Sequence, residues 1–235
     1  MTTPNRTLVL FDIDGTLIHS ARAGLRGMNA AFADLHQQPD ALARVPFAGR
    51  TDRSIVLDAF RAFEVEPTDA QILALRDAYL SHLPHELRRP VPEWSGVLPG
   101  VTDLLDALDT TTCGVGLLTG NFVGGAEIKL GHFDLWRRFR FGAFGDDHID
   151  RRDLVPVALA SARAAGFDAA PAHVVVIGDT PLDVACAHAH GALAVAVTTG
   201  PFSREQLTAA GADLVVDSLG ELVAFDGWLT SPARM

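Results

Sequence analysis

The stretch LVLFDIDGTLIHS (8–20) drives a hydrophobic run straight into two carboxylates, Asp12 and Asp14, followed by Gly15 and Thr16. A second apolar run, GVGLLT (114–119), closes on Thr119, Gly120 and Asn121. A third, HVVVIG (173–178), leads into GDTPLD, which carries Asp179 and Asp183. In open parallel sheets, ligands bind outside the carboxyl ends of the strands. If these runs are neighbouring parallel strands, four carboxylates and one hydroxyl converge on one edge. Left unpaired, such like charges repel and raise each other's pKa values. A divalent cation relieves the repulsion, and oxygen-only donors with no His or Cys nearby favour Mg²⁺.

The elements that must position these groups are readable from hydrophobic patterning. TLVLF (7–11), GVGLLT, HVVVIG, ALAVAVT (192–198) and DLVVD (213–217) are short apolar runs without polar alternation, as strands covered on both faces require. Helical patterns lie between the later ones. RDLVPVALASARAAG ends at Gly166, TPLDVACAHAHG has Pro181 near its start and Gly191 past its end, and SREQLTAAG begins on a Ser203 cap. Strands alternating with helices predict an α/β fold with a doubly wound parallel sheet. Residues 16–90 differ. They read as helices without strands, near 21–37, 51–63 and 69–87, with Thr68 as a cap, and RRPVPEWSGVLPG (88–100) reads as the return linker. The expected organisation is therefore a core of residues 1–15 and 91–235 with an inserted helical domain, 16–90.

Composition narrows the class. The chain has 235 residues, 48% hydrophobic and 20% charged, an ordinary globular balance. A net charge of −10 argues against nucleic acid, because the basic runs LRRP, WRRFR and DRRD are short and mixed with acids or apolar residues. No segment approaches the roughly 18–20 apolar residues of a membrane span, and the N-terminal run ends in acid, unlike a secretory signal. Cys113 and Cys186 lie far apart and outside any CxxC pair, so free thiols in a reducing cytoplasm are expected. There are 18 arginines and one lysine, Lys129, which marks a position where a compact ammonium is needed.

FDIDGTL, LLTGN and VVVIGDTPLD, each closing an apolar run and in this order, resemble the first, second and fourth motifs of the haloacid dehalogenase (HAD) superfamily of phosphotransferases. The resemblance covers nearly the whole chain. It implies a Rossmann-like core with a helical cap and Mg²⁺-dependent hydrolysis of a small phosphate monoester, as in phosphoglycolate phosphatases. By the same resemblance Asp12 is the nucleophile that forms an aspartyl-phosphate, and Asp14 is the acid/base. Thr119, Gly120 and Asn121 bind phosphate. The metal set is Asp12, Asp14 through its carbonyl, Asp179 and Asp183, the last from behind the others.

The chain departs from the pattern at the third motif, a positive side chain that balances phosphate charge. DRRDLVPVAL occupies its place. Pro156 matches the last proline of the K-P-x-P stretch, but Asp153 stands where the lysine belongs. Two substitutes are Arg152, beside the expected position, and Lys129. After DGTL the chain carries His19 and Ser20 rather than the usual acid and serine. Within the cap, FAGRTD (47–52) offers Arg50 to a second anionic group, such as a substrate carboxylate. Dehalogenation is disfavoured because it needs neither Asp14 nor a metal, and Schiff-base phosphonate cleavage because the cap has no lysine. A sugar-phosphate mutase and a non-catalytic phosphoacceptor module are the alternatives. Oligomeric state is not legible.

Overall fold

In the computed structural model, which describes residues 7–224, β1 (Leu8–Phe11) is fully buried and occupies the middle of a parallel sheet. The chain then forms β2 (Ile18–Ser20), α1 (Ala23–His36), α2 (Asp52–Ala62), α3 (Asp69–Arg88) and β3 (Ser95–Val97). Next come α4 (Val101–Asp109), β4 (Gly114–Leu118), α5 (Val123–His132), β5 (Gly142–Ala143) and α6 (Leu154–Ala164). The remainder is β6 (Val174–Gly178), α7 (Pro181–His188), β7 (Leu193–Val197), α8 (Arg204–Ala209), β8 (Leu214–Val216) and α9 (Gly220–Ala224). The sheet order is β5-β4-β1-β6-β7-β8, all parallel.

The five strands read from apolar runs are all present, and the reason is visible in their packing. Val9 and Phe11 face a core completed by Leu104, Leu105 and Leu130 of α4 and α5. Leu8 and Leu10 face the other side, against Leu154 and Ala158 of α6 and Val184 and Ala187 of α7. With helices on both faces, every strand position must be apolar. The register matters for function. Phe11 pairs with Leu117 on one side and with Ile177 on the other, so the chain leaves all three strands at the same level.

Residues between β2 and β3 are helical, as expected, and gather their own apolar cluster around Phe32, Phe60, Leu75 and Tyr79. Phe122, at the start of α5, joins that cluster and ties it to the sheet side of the molecule. Thr51 and Thr68 cap α2 and α3, accepting from the backbone N–H of Ser54 and Gln71. The 16–90 block is not strand-free, however. Ile18–Ser20 pairs antiparallel with Ser95–Val97, a two-stranded ribbon at the base of the helices, and Leu17 and Ile18 belong to the sheet's core. No helix among the described residues is long and apolar enough to cross a membrane.

Candidate active site

Asp12 follows β1 directly and is 4% exposed. Its backbone N–H donates to the carbonyl of Ile177 at 2.9 Å, prolonging the β1–β6 ladder by one step and fixing where the carboxylate emerges. Asp179, directly after β6, and Asp183, in the first turn of α7, are each 2% exposed. One oxygen from each of Asp12, Asp179 and Asp183 lies within 4.8 Å of the others, a grouping that suits a divalent cation. Burial, reinforced by Asp183, raises the Asp12 carboxyl to about 6 against the pull of Arg151. Burial, then Asp183 and Asp12, push Asp179 well above the usual carboxylate range. Without a cation these acids resist ionising together, which is the behaviour of a metal cradle.

Glycine is required beside that cradle. Gly15 sits at φ +82°, and a Cβ there would fall 2.3 Å from Asp179 Oδ2. The Thr16 hydroxyl donates to Asp179 Oδ1 at 3.3 Å, and the Thr199 hydroxyl to the carbonyl of Gly15 at 2.6 Å.

The buried cation beside Asp12 is neither sequence candidate. It is Arg151, 5% exposed, whose Nη2 is 3.0 Å from Asp12 Oδ1 and also pairs with Asp183 Oδ1. Its Nη1 donates to the carbonyl of Gly49 at 3.0 Å, and its Nε is buried with no partner. Arg152 points outward, with 63% of its side chain exposed and Nη2 at 2.5 Å from Asp150. The phase of one turn decides this. Asp150 accepts from the Arg152 backbone N–H at 2.9 Å and starts a 3₁₀ turn, while the Cys186 thiol donates to the Arg151 carbonyl at 3.0 Å. The register with Pro156 puts the third-motif cation at position 153, two residues past Arg151, and so favours Arg152. The remaining signal was that DRRD holds two arginines, not one.

Lys129 does reach the site, but it reaches Asp14. Its Nζ is 2.5 Å from Asp14 Oδ2 and 2.6 Å from Asn121 Oδ1. The Asn121 amide donates to Asp14 Oδ2 at 3.0 Å and to Thr119 Oγ1 at 2.9 Å, and Ser20 Oγ donates to Asp14 Oδ1 at 3.2 Å. Burial works to raise the Asp14 carboxyl, yet Lys129, Asn121 and Ser20 together hold it below its ordinary value. With its oxygens so engaged, the Asp14 side chain is not shaped as a metal ligand. Asp183 is similarly committed. It closes a capping box on α7 with Thr180, accepting from Thr180 N at 3.0 Å and Oγ1 at 2.7 Å, and braces Arg151.

Thr119 is fully buried, and its hydroxyl bonds to Asp12. Gly120 is pressed against the helical block: the Asp52 N–H donates to its carbonyl at 2.7 Å, and a Cβ there would fall 2.0 Å from the carbonyl of Arg50. The Gly49–Asp52 segment is thus seated on the strand ends, with Thr51 Oγ1 donating to the Ile149 carbonyl at 3.1 Å. Arg50 lines the cavity, but its charge is spent within the helical block. Nη2 is 2.7 Å from Asp58 Oδ2, and the guanidinium also donates to the carbonyls of Pro46 and Ser54. His19 lies at the ribbon, hydrogen-bonded to the Trp94 carbonyl at 2.7 Å and stacked on its ring. Asp52 was not anticipated. It is 7% exposed and accepts from Phe122 N at 2.8 Å, and burial raises its carboxyl to about 7.

A family described as HAD-hydrolase-like matches residues 152–222. A phosphoglycolate phosphatase of Rhodospirillum rubrum is 31% identical over 223 residues, covering 92% of this chain and 90% of its own. Among solved structures, CbbY from Rhodobacter sphaeroides in complex with phosphate superposes with a TM-score of 0.71 at 20% identity, over 92% and 96% of the two chains. A putative β-phosphoglucomutase from Bacteroides vulgatus gives 0.67 at 20% identity, over 100% and 93%. A doubly wound sheet with an acid-lined edge and a sequence this close to a phosphatase define a phosphoric monoester hydrolase. The chain belongs to the haloacid dehalogenase-like hydrolases, among the members that resemble phosphoglycolate phosphatase.

Proposed function

We propose that the chain hydrolyses a small phosphate monoester with Mg²⁺, through an aspartyl-phosphate on Asp12. The observation that carries this reading is the pairing of Asp12 with Arg151 at 3.0 Å, beside Asp179 in a buried acid cluster. A carboxylate held against a guanidinium is oriented, and the guanidinium favours its ionised form against burial; phosphoryl transfer needs positioning and charge neutralisation more than basicity. An Asp12 oxygen bonds to phosphorus as the ester oxygen leaves with the proton that Asp14 donates. Asp14 then takes a proton from water, whose oxygen attacks phosphorus and releases inorganic phosphate and the free Asp12 carboxylate. Lys129 keeps Asp14 ionised in the empty site, the form the second step needs. The charge of an arriving phosphate raises the affinity of Asp14 for the proton that the first step spends.

Asp12 and Asp179, with the Asp14 carbonyl, would hold the cation, and their oxygen chemistry fits it. When bound, Mg²⁺ supplies charge neutralisation of the transferring phosphoryl group. Asp183 serves by bracing Arg151 and capping α7. The Thr119 hydroxyl and the Gly120 N–H hold phosphoryl oxygens, with Asn121 linking them to Asp14. The helices between β2 and β3 act as a cap that excludes water, joined to the core through the ribbon of Ile18–Ser20 with Ser95–Val97.

The test is phosphate release from a panel of phosphomonoesters with Mg²⁺ and with a chelator. Metal-dependent release that vanishes in Asp12→Asn, with circular dichroism unchanged, is the expected result. Turnover by Asp12→Asn at the native rate would sink the proposal, and conversion of a phosphosugar to an isomer without phosphate release would replace it with a mutase.

A further inference from the structure

The cavity that joins the catalytic edge to the helical block has a volume of about 420 Å³. A transferring phosphoryl group and a cation occupy the end at Asp12 and Asp179. Part of the cavity wall is apolar, built from Leu25, Met28, Leu42, Phe47 and Ile55 of the helical block. The two-carbon acid of phosphoglycolate has no apolar body to lay against that wall. Its carboxylate would be desolvated there without a partner, which is costly.

The charges facing the cavity are unequally free. Arg151 is spent on Asp12 and Asp183, Lys129 on Asp14 and Asn121, and Arg50 on Asp58. Arg22 also lines the cavity, is exposed, and its guanidinium has no ion pair or hydrogen bond with the described residues. Its backbone is strained. Ala21 and Arg22 follow one another at φ 45° and 59°, a left-handed pair without glycine at the junction of β2 and α1. Such a conformation costs roughly 1–2 kcal/mol per residue and persists where the surroundings impose it, commonly at ligand sites.

We propose that the leaving group is larger than glycolate: an alcohol with an apolar body of several carbons and an anionic group at its far end, received by Arg22. This rests on the phosphatase reading above and names the substrate class of the same site. The body lies along Leu25 and Phe47, and the anionic end reaches the mouth of the cavity.

The test is kcat/KM for phosphate release from ω-phosphooxy-alkanoates of two, four and six carbons, with hexyl phosphate as the uncharged counterpart. Each buried methylene is worth roughly fourfold, so the six-carbon acid, with four more methylenes, should exceed phosphoglycolate by on the order of 200-fold. It should exceed hexyl phosphate by about tenfold, the scale of one charged hydrogen bond. Arg22→Asn, which tolerates the left-handed backbone but lacks the charge, should remove the preference for the acid over hexyl phosphate. Leu25→Trp should shrink the preference for six carbons over two. Native activity highest on phosphoglycolate, or equal on the six-carbon acid and hexyl phosphate, would overturn the inference while leaving the phosphatase reading intact. No release from any ester would overturn both. The native series decides the matter even if a variant fails to fold.

Discussion

Lys129 Nζ stands 2.5 Å from Asp14 Oδ2, so the chain's single lysine is spent on the proposed acid/base, Asp14, rather than on the proposed nucleophile, Asp12. Asn121 bridges the same pair, and Gly24 leaves room for the ammonium: a Cβ there would be 3.2 Å from Nζ. Lys129→Met removes the charge that holds Asp14 in place. We expect kcat to fall on the order of 10²–10⁴-fold, the range for loss of an acid–base group. Lys129→Arg should not rescue it, because a planar fork does not fit where a compact ammonium packs on Gly24. Steady-state kinetics of the two variants checks this. Full activity in Lys129→Arg would show that charge alone suffices.

Arg151 braces two acids at once. Arg151→Lys keeps the charge but cannot bridge Asp12, Asp183 and the Gly49 carbonyl together. The expected loss is about 10³-fold in kcat, on the scale of a charge-stabilising donor in phosphoryl transfer. Arg151→Met should also cost about 3–5 kcal/mol of stability, since it leaves buried acids uncompensated. Arg152→Ala, on the exposed side of the same turn, should leave kcat and Tm as they are. Equal losses from Arg151→Lys and Arg152→Ala would contradict the assignment.

That contrast also marks how far the chain can be read by eye. The buried strands were legible because two-sided burial forces unbroken apolar runs, and the aspartates followed because ligands collect where such strands end. Gly142–Ala143 was not, since a two-residue strand leaves no run to see. The ribbon of Ile18–Ser20 with Ser95–Val97 joins residues about 77 positions apart through a proline-rich stretch, and no local pattern announces such a pairing. Arg151 and Arg152 differ by one step of a tight turn, whose phase is set by Asp150 and by the distant Cys186. Arg50 matches an anion-binding residue in type, yet Asp58 two turns along α2 takes its charge.

Asp179 offers a direct test of the metal cradle. Mg²⁺ that binds only the folded chain stabilises it by about 2.7 kcal/mol at a concentration 100 times its Kd. For a chain of this length that is roughly a 5–10 °C rise in Tm. Asp179→Asn should remove most of the response while raising the metal-free Tm, because one member of a mutually repelling acid cluster is gone. Differential scanning calorimetry with Mg²⁺ and with a chelator reads both effects. A native-sized Mg²⁺ response in Asp179→Asn would remove it from the ligand set.

Asp52 gives a pH dependence whose sign can be worked out. Burial raises its carboxyl from 3.8 to about 7, and the unfolded chain returns it to the ordinary value. Between about 4 and 7 the folded state therefore binds more protons than the unfolded state. Stability then falls as pH rises across that window and levels off above it. The full gap corresponds to at most ~4 kcal/mol at 1.36 kcal/mol per pKa unit. Asp12, raised to about 6, contributes a slope of the same sign, so the native curve alone does not isolate Asp52. Asp52→Asn does: its carbonyl still accepts from Phe122 N–H, but it cannot ionise. Urea unfolding of both proteins in chelator should show the variant gaining on the native chain from pH 4 to 7, where Asp52 is being forced to ionise in place. Parallel curves across that range would mean that Asp52 ionises as readily folded as unfolded.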